Sequence, residues 1–417
     1  MKEVIIIGAG ASGLMAAISS AKSGHKVTVL EKNEKAGKKI FITGKGRCNI
    51  TNATDAPNLI ANTINNPKFL YSAFNEFDSF KMMDFLEESG LRIVTERGNR
   101  VFPASMHSSD VIRTLKGVCD DLGVKFHFNT QVKNITKNES QDKFIINAGK
   151  DEFTSDYLIL CTGGKSYPST GSTGDGYKFA ESFGHTVTEL SPGLTGFNVK
   201  EEYPKDLMGL ALKNVTLELN INGKKCMKEM GEMLFTHFGI SGPLVLTASE
   251  YYNLHVRRLK KKKNFKGIEA KVIIDLKPAL SEDELISRIE RDFDAFKDTF
   301  FKNSLRKLLP KSMEEIMVKL SGIKPDKKAR EVSKKEISEL AHLFKNLELN
   351  ISSLRAFEEA IITCGGINVK EINPKTMESK LCPGLYIAGE VMDVDALTGG
   401  FNLQIAWSTG YVAGKCE

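Results

Sequence analysis

The sequence lacks the features that mark secreted, metal-stapled or strongly charged proteins. Its seven cysteines are scattered, contain no C-x-x-C pair and have no histidine at metal-ligand spacing, which disfavours a disulfide framework and predicts no metal site. Lysine and arginine number 58 against 52 aspartate and glutamate residues, a formal net charge of only +6. So small an excess disfavours nucleic acid as a partner. We therefore expect a cytoplasmic protein with reduced thiols.

A long uninterrupted hydrophobic run is also missing. Residues 4–21 carry no charge, but three glycines interrupt them, and Glu3 stands where a signal peptide would be basic. A second apolar stretch, 27–30, follows at once, as in a folded domain. The sequence therefore predicts no membrane-spanning segment.

What remains is an ordinary globular composition on a long chain. The 417 residues correspond to two or three domains at roughly 150 residues each, and each would bury its own core. Hydrophobic residues make up 41% and charged residues 26%, which argues against disorder and against a polytopic membrane protein.

The first 31 residues carry a dinucleotide-binding pattern. A β-branched run (4–7) is followed by the glycine turn 8–13, which matches G-x-G-x-x-G, by a helical stretch (14–22) and by a second strand (27–30) that ends in Glu31. The glycines permit a tight turn and a close approach of pyrophosphate to the helix N-terminus, while the acid accepts ribose hydroxyls. Because the residue is acidic, a 2′-phosphate is disfavoured at this site.

The next segment favours FAD over a nicotinamide cofactor. Residues 36–40 and 43–52 are rich in glycine and in basic residues. Such glycines allow close backbone approach, and the cations suit a pyrophosphate. A solvated basic loop is the alternative interpretation.

Four segments, 44–52, 162–176, 234–243 and 384–407, carry a resemblance to a known family. Along almost its whole length the chain resembles the HI0933-like or BaiN-type FAD-dependent oxidoreductases, which are distantly similar to fumarate reductase flavoproteins. The resemblance implies an α/β fold: a discontinuous, Rossmann-like FAD domain of the two-dinucleotide-binding type, with an inserted β domain that carries a helical subdomain. Activities proposed in the family range from reduction of conjugated double bonds in steroid-like substrates to oxidation of small amines. It therefore defines the cofactor better than the substrate.

The predicted FAD-binding residues belong to the glycine motif, the basic segment, the loop after residues 124–128, or the later segments of the resemblance. They are Gly8, Gly10, Ala11, Ser12, Gly13, Glu31, Lys32, Gly37, Lys38, Lys39, Gly44, Gly46, Arg47, Cys48, Asn49, Val132, Thr162, Gly163, Gly164, Gly389, Glu390, Asp393, Gly400, Phe401, Asn402 and Leu403. In the family's manner, Asp393 would hold the ribityl chain and Val132 would offer backbone to the adenine. The helix that begins at 400–403 would direct its free amides at the pyrimidine edge of the reduced isoalloxazine. A further helix start, 174–176, would contact flavin or substrate, or would serve only as a turn.

The predicted domains are 1–190 and 354–417 for the two parts of the FAD domain and 191–353 for the insert. In the insert, alternation over 215–221 and a run at 270–276 predict strands, and Asn222-Gly223 predicts a hairpin turn. Three capping boxes, Ser281/Glu284, Ser312/Glu315 and Ser333/Glu336, predict helices over 282–297, 313–320 and 334–344. These helices form a subdomain over about 281–345, which we interpret as a lid or a partner surface.

The one dense charge run, residues 257–266, predicts a solvated hairpin tip. RNA binding or an acidic substrate is the alternative, but Phe265 is the only aromatic residue within the run.

Three residues are candidates for the chemistry of substrate reduction. His237 lies in a glycine-containing loop of the insert and could transfer a proton or merely stabilise a turn. Tyr167, beside a proline, could donate to a substrate carbonyl or pack, and Arg100 could anchor a carboxylate. We interpret Cys48 as a packing residue, because no redox partner is evident.

The leading functional hypothesis is an FAD-dependent oxidoreductase that passes a hydride to an activated C=C bond of a small or steroid-like substrate. No second G-x-G-x-x-G follows a strand, so NADH or NADPH would bind transiently rather than in a domain of its own. The alternatives are an oxygen-dependent amine oxidase and, from another class, an RNA-associated flavoprotein. The substrate and the oligomeric state do not follow from the sequence.

Overall fold

The computed structural model describes residues 1–138 and 140–417, which divide into two compact units. Unit 1 comprises Met1–Gly193 and Ala356–Glu417, and unit 2 comprises Leu194–Arg355. Each unit has its own hydrophobic core. The predicted segments 1–190, 191–353 and 354–417 stay a prediction of folding domains.

The strands in chain order are β1 (Glu3–Ile7), β2 (Lys26–Leu30), β3 (Thr51–Asn52), β4 (Thr63–Asn65), β5 (Ile93–Glu96), β6 (Arg100–Pro103), β7 (Lys125–His127), β8 (Asn134–Asn138), β9 (Lys143–Ala148), β10 (Asp151–Ser155), β11 (Tyr157–Leu160), β12 (Ser191–Gly193), β13 (Phe197–Val199), β14 (Ala211–Ile221), β15 (Lys224–Thr236), β16 (Gly239–Ser241), β17 (Ala270–Asp275), β18 (Leu347–Leu354), β19 (Ile362–Cys364), β20 (Leu385–Ile387) and β21 (Asp395–Ala396). The α-helices are α1 (Ala11–Lys22), α2 (Lys38–Ile42), α3 (Ala56–Ala61), α4 (Tyr71–Glu76), α5 (Ser79–Glu88), α6 (Ser108–Asp121), α7 (Asp175–Ser182), α8 (Pro243–Lys260), α9 (Glu282–Ala295), α10 (Lys311–Ser321), α11 (Lys334–Lys345) and α12 (Phe401–Gly414).

A five-stranded parallel sheet forms the centre of unit 1, in the order β20-β11-β1-β2-β7. The central strand β1 pairs on both sides, with Ile6 opposite Ile159 and Val29, and its last four residues are buried. A continuous β-branched run suits such a position because both of its faces are covered. The α/β prediction with a Rossmann-like sheet is confirmed.

Helices α1 and α12 pack closely in unit 1 because glycines face the contact. A Cβ added to Gly410 would lie 2.3 Å from the carbonyl oxygen of Ser12, and one added to Gly414 would lie 2.4 Å from that of Ala16. The last helix therefore supports the helix that follows the glycine turn.

Unit 2 is built on a closed antiparallel barrel, β13-β16-β15-β14-β17-β18. Alternate residues of β14, including Leu217, Leu219 and Ile221, are buried, as the alternation predicted. Asn222 and Gly223 both have positive φ between β14 and β15, which confirms the hairpin turn.

The helices α9, α10 and α11 also belong to unit 2. The capping boxes at Ser281/Glu284 and Ser333/Glu336 are both formed. The third box, Ser312/Glu315, was wrong, because α10 begins at Lys311 with Pro310 as its N-cap, which places Ser312 inside the first turn.

The basic run 257–266 is not a hairpin tip. Residues 257–260 form the last turn of α8, and 261–266 lie in the exposed loop that leads to β17. Leu244, Val245 and Ala248 are buried on α8, where they pack on the barrel strands. Residues 257–260 are therefore helical because they continue a helix whose apolar face covers the barrel. Cations in a last turn also interact favourably with the helix dipole.

All seven cysteines are free thiols, and six of them are buried. Among the helices of the described residues, none combines the length and the apolar character that crossing a bilayer requires.

Candidate dinucleotide-binding site

The glycine turn between β1 and α1 is built by backbone contacts that exclude side chains. Gly8 has φ of 103°, and a Cβ there would lie 2.5 Å from the carbonyl oxygen of Cys161. A Cβ on Gly13 would lie 1.8 Å from the carbonyl oxygen of Gly8. A Cβ on Gly10, by contrast, would meet no heavy atom within 4 Å. Two glycines thus close the turn, and the middle one borders open space.

The N-terminus of α1 points into this turn without a cap. No side chain accepts from its first amides, and its first turn contains no acidic residue. The amides of residues 11–13 have no partner within an α-helix. Such amides and the helix dipole together form an anion site suited to a pyrophosphate.

Glu31 follows β2 directly and is buried beside the glycine turn. Its carboxylate accepts the Ala9 amide at 2.8 Å and both the backbone and the side-chain amides of Asn33, at 2.8 and 2.7 Å. A carboxylate has about four lone-pair sites, so it can also accept a ribose hydroxyl. The amide of Thr130 donates to the Glu31 carbonyl at 2.9 Å, which brings the segment leading to Val132 beside the same acid.

The basic glycine-rich segment adopts left-handed backbone at successive residues. Gly44, Lys45 and Gly46 have φ of 57°, 58° and 83°, and Cys48 has φ of 58°. The Cys48 thiol is fully buried, and burial raises its pKa to about 12, which fits a packing role. Asn49 Oδ1 is buried and has no hydrogen-bond partner among the described residues, so it can accept from a ligand.

The predicted cations of this region already have acidic partners. Lys32 contacts Asp175 at 2.7 Å, and Lys38 contacts Glu34 at 2.7 Å on the surface of α2. Arg47 contacts Glu96 at 3.1 Å. A phosphate would have to share these cations with carboxylates.

Lys39 and Glu390 form the centre of a polar network in unit 1. Lys39 Nζ donates to Glu390 Oε2 at 2.6 Å and also to the Ser166 hydroxyl. Glu390 Oε1 accepts the Ser166 hydroxyl at 2.9 Å and the Thr363 amide at 2.8 Å. The side chains of Lys39 and Glu390 are each 21% exposed. The sequence analysis predicted both charged residues but not Ser166, although Ser166 lies in the segment 162–176, and not Thr363.

The later predicted segments converge on the start of α1. A Cβ on Gly389 would lie 2.5 Å from Ser12 Oγ, and one on Gly176 would lie 1.9 Å from Thr162 Oγ1. A Cβ on Gly164 would lie 3.1 Å from Glu390 Oε1, and one on Gly163 would lie 3.1 Å from the hydroxyl oxygen of Ser172. The structure therefore brings the segments 8–13, 162–164 and 389–390 to one place.

Tyr177 is a residue of this region that the sequence analysis did not single out. It lies in the first turn of α7, is only 5% exposed, and its hydroxyl has no hydrogen-bond partner among the described residues. Burial, followed by the charges of Glu390 and Asp393, raises its pKa, so the phenol stays protonated. Asp393 accepts the Asn65 side-chain amide at 2.6 Å. The only sequence signal for Tyr177 was its position after the glycines 174 and 176.

The N-terminus of α12 resembles that of α1 in lacking a side-chain cap. Gly400 has φ of 103°, and its Cβ would lie 2.4 Å from the Thr51 backbone. The Asn402 side chain accepts the Ala396 amide at 3.0 Å and donates to the Ala396 carbonyl at 2.7 Å. These two hydrogen bonds hold the turn before the helix. The Asn402 side chain therefore helps to hold this loop, and the amides of 401–403 lack intrahelical partners.

The catalytic candidates lie in different settings. Tyr167, half-buried, has φ of 50°, and Arg100 lies 3.7 Å from Glu96, the acid that also contacts Arg47. Because two arginines share one carboxylate, the group keeps a net positive charge. His237 is exposed in the two-residue turn between β15 and β16 of unit 2. Tyr167 and the arginines belong to unit 1.

The residues of unit 1 fit a dinucleotide cofactor such as FAD. The open space at Gly10 and the uncapped amides of α1 suit a pyrophosphate, while Glu31 suits a ribose. The unsatisfied Asn49 Oδ1 and Tyr177 hydroxyl can bond a polar ligand. When bound, FAD supplies the hydride-transfer chemistry, and the protein supplies binding and orientation.

Comparisons with known proteins identify the family of the chain. The HI0933-like protein Rossmann domain matches residues 2–416. The 3-dehydro-bile acid delta(4,6)-reductase of Clostridium scindens is 32% identical, with 100% of this chain and 98% of that protein covered. The ribosomal RNA dihydrouridine synthase of Haemophilus influenzae is also 32% identical, over 98% of this chain and 96% of that protein.

Among solved structures, 3-ketosteroid delta1-dehydrogenase from Sterolibacterium denitrificans superposes with a TM-score of 0.51 at 14% identity, covering 99% of this chain and 98% of that chain. So low an identity supports the fold alone. The fold and the sequence match over nearly the whole length together show that the chain belongs to the HI0933-like family of FAD-dependent oxidoreductases.

Proposed function

We propose that this protein uses FAD, reduced by NADH or NADPH, to reduce a C=C bond conjugated to a carbonyl group in a small or steroid-like molecule. The observation that carries the proposal is the full-length similarity to the C. scindens reductase, together with the glycine-built site of unit 1. A hydride adds to the carbon β to the carbonyl, and a proton adds to the α carbon. The protein must therefore polarise the carbonyl and deliver one proton.

We propose that Tyr167 and His237 polarise the substrate carbonyl and deliver the proton. Both carry a donor that is not committed to a regular helix or strand. We propose Arg100, with the neighbouring Arg47, for an anionic group of the substrate, because their shared Glu96 leaves one positive charge uncompensated.

A second candidate substrate is a uracil base in RNA. Dihydrouridine differs from uridine by two hydrogens across a C=C bond conjugated to a carbonyl, so it requires the same chemistry. The similarity to the H. influenzae dihydrouridine synthase equals the similarity to the bile acid reductase, and most of the excess positive charge of this chain lies in unit 2. The equal similarity does not choose between the two substrates, whereas the concentration of positive charge in unit 2 favours RNA despite the mild overall charge.

Anaerobic mixing of the FAD-loaded protein with NADH, and separately with NADPH, tests the reductive half-reaction. We expect one of them to bleach the visible flavin band within the mixing experiment. A conjugated enone or a uridine-containing RNA should then restore the band, and the acceptor that does so defines the substrate class. If neither nicotinamide bleaches the flavin while a small amine does, with peroxide formed in air, the protein is an oxidase and the proposal is wrong.

Substitution of Tyr167→Phe or His237→Ala tests the proton donors. We expect about a hundredfold slower acceptor reduction in the variant that lacks the true donor, with FAD still bound, because general acid catalysis contributes at least that much. His342→Ala is the control, since His342 is an exposed residue of α11. Turnover at the wild-type rate in both variants would remove these residues from the mechanism.

A further inference from the structure

Two adjoining segments of unit 2 present cations next to aromatic rings. We call this surface the ledge, and it consists of residues 296–307 and 324–330. The two segments adjoin, because the Phe301 amide donates to the Lys327 carbonyl at 2.7 Å and the Ala329 amide to the Thr299 carbonyl at 2.9 Å. The ledge contains none of the residues that predicted the FAD site.

Cations lie against the rings of the ledge at short distances. The Arg306 guanidinium lies 4.4 Å from the Phe296 ring centroid, and Lys307 Nζ lies 4.6 Å from the same centroid. Phe300 is 43% exposed, and Lys302 Nζ lies 5.5 Å from its centroid. An exposed ring bordered by cations can stack a base and attract the adjoining phosphates.

Ion pairing on the ledge is incomplete. Lys302 contacts Asp326 at 2.7 Å, and Arg330 contacts Asp298 at 2.7 Å. Within residues 1–138 and 140–417, neither Arg306 nor Lys307 has a carboxylate oxygen within 4.0 Å. Lys327 is also paired, with Glu336 at 2.7 Å. Arg306 and Lys307 instead lie against the Phe296 ring, and their positive charges are available to an external polyanion.

We propose that the ledge binds single-stranded RNA, with Phe300 stacking a base and Arg306 and Lys307 contacting phosphates. The proposal deepens the RNA candidate above and rests on it for the identity of the polyanion. The basic run 257–266 is the competing surface, since it has an exposed Phe265. We favour the ledge because its cations lie against the rings of Phe296 and Phe300.

Fluorescence anisotropy of a labelled uridine-rich RNA of about 12 nucleotides tests the proposal, using the full-length, FAD-loaded protein at several salt concentrations. We expect Arg306→Gln with Lys307→Gln to weaken binding and to reduce the slope of log affinity against log salt by about 1.4, since each phosphate contact contributes about 0.7. Phe300→Ala should weaken binding about tenfold without changing the slope. The matched control, Lys261→Gln with Lys263→Gln, should bind like the wild type.

Three outcomes overturn the proposal. They are wild-type binding by the Arg306/Lys307 variant, an equal or larger loss in the control variant, and equal affinity for vesicles containing phosphatidylserine. An unchanged Phe300→Ala variant removes the stacking contact. NAD(P)H-dependent reduction of a small enone, measured on the same variants, should be unchanged. Failure of the proposed reductase function appears as absent reduction with RNA binding intact, so the two failures are distinguishable.

Discussion

Gly13→Ala should leave the protein unable to hold FAD and destabilised by about 3 kcal/mol. The new Cβ would lie 1.8 Å from the carbonyl oxygen of Gly8. That oxygen belongs to a backbone that is itself fixed by β1 and by the close approach of Gly8 to Cys161. The turn can relieve the overlap only by moving α1 away from the sheet. Urea unfolding and the visible absorbance of co-purified flavin measure the two effects.

Two other glycines separate stability from cofactor binding. Gly10→Ala meets no atom within 4 Å, so we expect normal stability with weakened FAD binding, because its methyl group would occupy the space beside the uncapped helix. The methyl group of Gly117→Ala, inside α6, also meets no atom within 4 Å. This substitution should leave the FAD content unchanged and raise the free energy of unfolding by about 0.5–1 kcal/mol. Normal FAD binding by Gly10→Ala would show that the pyrophosphate lies elsewhere.

Lys39→Met should lower the free energy of unfolding by about 2 kcal/mol and weaken FAD binding. The value lies between the cost of breaking an exposed pair and that of breaking a fully buried one, since both partners are about four-fifths buried. Without Lys39, Glu390 keeps only the Ser166 and Thr363 donors. The residual carboxylate charge would then lie in a partly desolvated site.

A double-mutant cycle distinguishes the ion pair from general disruption. Glu390→Gln should restore part of the stability lost in Lys39→Met, because it removes the uncompensated charge. Lys26→Met is the matched control: Lys26 contacts Glu3 at 2.8 Å with both side chains largely exposed, so its loss should cost less than about 1 kcal/mol. Additive effects of the Lys39 and Glu390 substitutions would contradict the coupling.

Local patterns were sufficient wherever the deciding neighbours lie within a few residues. The capping boxes at Ser281 and Ser333 formed because cap and acid are three residues apart. The box at Ser312 failed because Pro310, just before it, begins the helix earlier. The run 257–266 was misplaced because its charges concealed the apolar face of the helix that ends in it.

In the candidate site, too, features set by nearby residues were predictable and those set by distant residues were not. The glycine turn and Glu31 were predictable because strand, turn, helix and acid follow one another in 31 residues. The sequence analysis did not predict Ser166 as a partner of the Lys39–Glu390 pair or Tyr177 as a buried polar group. Ser166 meets Lys39 across 127 residues of sequence and Glu390 across 224, and the isolation of the Tyr177 hydroxyl depends on everything packed around α7.

The sequence by itself determined the α/β class, the glycine turn and the order strand, turn, helix, strand over the first 31 residues, because those properties depend on short periodic patterns and on backbone conformations that favour glycine. The tertiary structure alone decided which charges are compensated. Lys39 and Glu390, 351 residues apart, neutralise each other, whereas Arg306 and Lys307 lie against a ring with no carboxylate near them in the described chain. Charge pairing depends on distances of a few ångströms between segments that only the folded chain brings together.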